Sequence, residues 1–124
     1  MNIQKFEFVN YDVDIEIGGI TFKMDCASET GDYLKKCSAE LRDLADAIGR
    51  GEKTVDDAVS YGCNMLDTLL GEGAAEKVFS GRKKRLSDVT DICLFLTEVA
   101  VNFQNERIKA TQNRVQRRSD RKKK

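Results

Sequence analysis

The sequence predicts an α+β domain: an N-terminal β-hairpin of two or three strands packed on a small bundle of three main helices and one short helix, with a basic C-terminal arm. Three observations predict it. Apolar and polar residues alternate on both sides of the pair Gly18-Gly19, which is the period of a half-buried strand. Three later stretches carry apolar residues at spacings of three and four, the period of one helix face. No repeat, proline or linker divides the 124 residues, so a single domain is placed at residues 1–106 and the arm at 107–124.

Phe6 and Phe8, then Val13, Ile15 and Ile17, sit at alternate positions with acidic residues between them. Ile20, Phe22 and Met24 continue the alternation beyond the two glycines, which permit the positive φ angles of a tight hairpin turn. Two or three strands are marginal alone in water. Ile15 and Phe22 are therefore expected to face helices.

From Ser28 or Thr30 the period changes: Leu34, Cys37, Leu41, Leu44 and Ile48 form one helix face, which Gly49 and Gly51 close. Thr54 is the predicted N-cap of the second main helix, with Asp56 and Asp57 in its first turn. Its inward stripe is Val55, Val59, Cys63, Leu66 and Leu70, widened by Leu69. Gly62 lies where another backbone approaches closely. Gly71 and Gly73 break this helix, and residues 74–79 leave room for one or two helical turns before Gly81. Ser87 is the predicted cap of the last helix, whose stripe is Val89, Ile92, Leu96, Val99 and Phe103, widened by Cys93, Phe95 and Ala100. Beyond Phe103 the apolar residues thin to Ile108 and Val115, and the sequence leaves open whether the arm extends the helix or is disordered.

The four cysteines, at 26, 37, 63 and 93, have neither zinc-finger nor redox-pair spacing, and histidine is absent. Cys37, Cys63 and Cys93 fall on the apolar stripes of predicted helices and read as reduced core thiols, and no metal or cofactor is expected. The lack of histidine removes the commonest general acid and base. The Gly71-Glu72-Gly73 run lacks the Gly-Lys-Ser/Thr ending of a phosphate loop, and Glu72 repels an anion. Enzymatic chemistry is not expected. No stretch reaches the roughly 18 apolar residues of a membrane span, and MNIQKFEFVN has no signal-peptide character, so a cytoplasmic protein is expected.

The formal net charge of zero conceals a split. Residues 1–106 carry 12 Lys and Arg against 20 Asp and Glu, a net of −8, whereas residues 107–124 carry 9 against 1, a net of +8. The arm's cations are Arg107, Lys109, Arg114, Arg117, Arg118, Arg121, Lys122, Lys123 and Lys124. One functional reading uses them to neutralise phosphates, as a small nucleic-acid-binding accessory protein. The acidic body and the lack of a helix joining base-reading polar residues to a basic flank weigh against it. The run Arg82 to Arg85 has no aromatic neighbours for base stacking and reads as a solvated loop.

The stretch from Leu66 to Phe95, with GEGAAEKVF followed by GRKKRLSDVTDICLFLTEV, resembles the tail assembly chaperones of long-tailed phages and prophages of Gram-positive bacteria. The resemblance covers roughly residues 12–103. It implies a non-enzymatic protein that coats the tape measure protein and recruits tail-tube subunits, with self-association compatible with that role. Within it, the expected partner surface is an apolar groove near the corner between the second main helix and the last, with Leu69, Leu70, Val78 and Phe79 as candidate anchors.

Overall fold

In a computed structural model, which describes residues 3–122 and side chains through residue 113, Gly18 and Gly19 take φ +59° and +86°. Both signs are those of a two-residue hairpin loop that matches the twist of its strands. The strands are β1 (Asp12–Ile17) and β2 (Ile20–Asp25), paired antiparallel with Ile17 opposite Ile20, Ile15 opposite Phe22 and Val13 opposite Met24. That register collects the apolar side chains on one face. Ile15, Ile17 and Met24 are buried there, and Val13 and Phe22 pack partly buried against the same cluster. Asp12, Asp14, Glu16 and Asp25 stay exposed on the other face. The sheet has two strands, not three. Residues 3–11 form no regular structure, and Phe6 and Phe8 stand out in solvent, edge to face with each other. Their alternation fails to join β1 because they occupy even positions and Val13, Ile15 and Ile17 odd ones, so one continuous strand would send the two sets to opposite faces.

The carboxylate of Asp25 accepts the Ala27 N–H at 2.8 Å and turns the chain into α1 (Ser28–Gly49). Leu34, Cys37 and Leu41 are buried as the spacing predicts; at the far end Ala47 is innermost, with Leu44 and Ile48 half-buried beside it. Helix α2 (Val55–Leu70) starts with the predicted Thr54 cap. Thr54 Oγ1 accepts the Asp57 N–H at 3.2 Å, and Asp57 Oδ2 accepts the Thr54 N–H at 2.9 Å, a reciprocal capping box. The bond from the Thr54 N–H first, and then the Thr54 hydroxyl beside it, hold the Asp57 carboxyl below its ordinary pKa. Val55, expected inside, is exposed because it is the first helical residue, ahead of the turn that meets the core; Met65 is buried instead.

A one-turn helix α3 (Ala74–Val78) follows. Asp67 of α2 caps it from outside, accepting the Ala75 N–H at 2.9 Å. Helix α4 runs from Leu86 to Lys122. It begins one residue before the predicted cap, so Ser87 lies inside the first turn. Val89, Cys93, Leu96 and Ala100 are buried, whereas Phe95, expected to point inward, is 39% exposed. Helix α1 lies antiparallel beside α4, with Ser38 Oγ 3.5 Å from Cys93 Sγ and Gln104 donating to the Cys26 carbonyl at 2.7 Å.

Gly62 is the contact point of α2 and α4. A Cβ placed there would collide with the side chain of Val89, whose own Cβ would be 3.3 Å away, so the close neighbour is a side chain and not a second backbone. Helix propensity favours alanine over glycine by about 1 kcal/mol, but overpacking costs about 1–3 kcal/mol. The Gly62→Ala protein is therefore expected to be less stable than wild type in urea unfolding. Combining it with Val89→Ala should make the losses less than additive, since each change accommodates the other. Simple additivity would show that the two sites do not touch.

Candidate functional site

The predicted anchors are mostly core. Val78 and Phe79 are 6% and 5% exposed within the central cluster, and Leu69 and Leu70 pack half-buried against it. Beside them a shallow cleft of about 210 Å³ opens between Ile17, Val78, Phe79 and Ile92, with Arg82, Asp88 and Asp91 at its rim. Only small parts of the two anchor side chains reach it.

The larger apolar surface lies elsewhere, along α4. Leu94, Val101 and Ile108 are 55%, 44% and 54% exposed. They are spaced by seven residues, which is twenty degrees short of two full turns, so they form one nearly straight row. Each borders a cleft. Leu94 meets Leu41, Ala45 and Cys93 of the α1–α4 seam; Val101 meets Gly31, Leu34 and Ala100; Ile108 meets Tyr11, Gln104 and Thr111. The three clefts measure about 210, 300 and 330 Å³. Small residues of α1 keep the groove open on one side, and the row spans about 21 Å at 1.5 Å per residue. Tyr11 is held at the end of the groove by its ring contact with Phe103, 5.9 Å between centroids. Asp32, Lys35 and Arg42 supply a rim of mixed charge. The signal for this row was in the sequence as a heptad repeat through 94, 101, 108 and 115, which a search for spacings of three and four passes over.

Chemistry-bearing groups are placed differently. All four cysteines are free; Cys26, Cys37 and Cys93 are buried and Cys63 is half-buried. Burial pushes the thiols of Cys26, Cys63 and Cys93 up, and burial followed by the neighbouring Cys37 does the same to the Tyr61 hydroxyl. Among the described residues, no group of three or more His, Cys, Asp or Glu could hold a metal ion, and every buried side-chain nitrogen and oxygen has a hydrogen-bond partner. The basic loop Arg82 to Arg85 is exposed, with Lys84 Nζ 3.9 Å from Glu76. In the arm, Arg107 is half-buried at the third cleft and Lys109 is exposed. Lys123 and Lys124, and the side chains of Arg114, Arg117, Arg118, Arg121 and Lys122, lie outside the described residues. No helix among those described is long and apolar enough to cross a membrane.

A family model described as "Family of unknown function (DUF6673)" matches residues 12–124. No curated protein and no solved structure matches the chain.

Proposed function

We propose that this chain, which belongs to the DUF6673 family, is a non-enzymatic tail assembly chaperone that shields apolar helical segments of a phage tape measure protein and helps bring tail-tube subunits to it. The observation that carries the reading is the exposed row Leu94, Val101 and Ile108, the first two above the α1–α4 clefts and the third above the cleft beside Tyr11. An amphipathic helix docks in such a groove through apolar anchors about one or two turns apart, with charge at the rim. The order of motifs from Leu66 to Phe95 supplies the identity of the partner through the resemblance. The thiols support a binding role over nucleophilic chemistry, because a cysteine nucleophile works as thiolate and burial here favours the neutral form.

The test is titration of the protein with a helical fragment of a tape measure protein. Val101→Glu places a charge at the centre of the groove on a side chain that is 44% exposed. Loss of a central anchor is worth about 2 kcal/mol or more, about thirtyfold in Kd, while the melting midpoint should stay near that of wild type. Wild-type affinity in Val101→Glu and Leu94→Glu would remove the groove as the site. No binding by the wild-type protein would sink the chaperone reading.

A further inference from the structure

We infer that α4 also pairs antiparallel with α4 of a second copy, through the same row of Leu94, Val101 and Ile108. Helix α4 has 37 residues and its neighbour α1 has 22, about 55 Å and 33 Å of helix. The end of α4 thus outreaches the seam it lies in, and helices in proteins draw most of their stability from packing an apolar face against a neighbour. The apolar row continues into that projecting part: Ile108 is exposed there, and Val115 holds the next heptad position in the sequence.

The row can meet its own copy about a two-fold axis in either direction, and charge chooses between the two. Antiparallel helices with Val101 opposite Ile108 also bring Leu94 level with Val115, so apolar positions meet apolar positions twice about a two-fold axis. In the same arrangement each arm, with its net charge of +8, lies along the −8 body of the other copy. A parallel pair would instead place the two +8 arms side by side. Charge therefore selects the antiparallel form. The pairing covers Leu94 and Val101, so a second copy and a partner helix compete for the groove.

The experiment uses the full chain alone, which keeps its outcome separate from that of the chaperone reading. Sedimentation equilibrium should give a species of twice the 14.0 kDa chain mass, and dissociation should increase with salt, since attraction between exposed charges is screened. Salt that tightens the dimer would reveal arm against arm and overturn the antiparallel form. Val101→Glu and Ile108→Lys are each expected to raise the dimer dissociation constant at least tenfold, with the helical circular dichroism retained. Mixing the two variants should restore dimer, because the introduced carboxylate and ammonium face each other only when position 101 is opposite 108. A wild-type monomer at every concentration, or a mixture no better than its components, overturns the proposal.

Discussion

Replacing Phe79 by alanine is expected to cost about 3–5 kcal/mol of stability, a large share of the roughly 5–15 kcal/mol that holds a domain of this size folded. The residue is 5% exposed and closes α3, its N–H donating to the Ala75 carbonyl at 3.0 Å. It packs in the cluster that Ile17, Val78 and Leu66 share. Truncation leaves a cavity at the junction of hairpin, α2 and α3, where the short helix has only a few hydrogen bonds of its own. Capture of a tape-measure fragment should then fall only as far as the folded fraction falls, in contrast to Val101→Glu, which should lose binding with its midpoint intact. A Phe79→Ala protein that melts like wild type yet no longer captures the fragment would return the anchor to the corner. Urea unfolding and fragment binding, measured on the same preparations, decide between the two.

The parts of this fold that were legible in sequence are those fixed by neighbours in the chain. The Gly18-Gly19 turn and the alternation beside it set the hairpin register within a dozen residues, and the Thr54–Asp57 box is closed by residues three apart. Phe6 and Phe8 misled because a pattern of period two says nothing of its parity relative to the next run. Phe95 and Val55 misled for a different reason: apolar character marks a helix position as able to be buried, and whether it is depends on which neighbours arrive. The candidate surface follows the same logic. Helix α4 carries two apolar lines roughly 120° apart, one through Val89, Cys93, Leu96 and Ala100, the other through Leu94, Val101 and Ile108. Only the packing of α1 and α2 shows which of them remains uncovered.

Met24→Asp should be still more damaging, and its pH dependence identifies the cause. Met24 has no exposed surface and sits opposite Val13 on the inner face of the hairpin. A carboxylate there loses its hydration with no cation or donor arranged to replace it, and an uncompensated buried charge belongs to the small class of changes that exceed about 4 kcal/mol. Burial raises the folded-state pKa of the new carboxyl above its unfolded value of about 3.9. The native state then binds more protons than the unfolded state, so stability is retained at low pH and lost as pH rises through the folded pKa. The variant should therefore unfold at lower urea at about pH 8 than at about pH 5, with a larger difference than the wild-type protein shows. Phe22→Asp, on the half-buried strand partner of Ile15, should show the same direction with a smaller amplitude, because its carboxylate can reach water. Met24→Leu, which keeps the volume, should cost less than about 1.5 kcal/mol at either pH. A Met24→Asp protein with an unchanged midpoint at both pH values would mean that the hairpin is an external arm, and that the helices form the core without it.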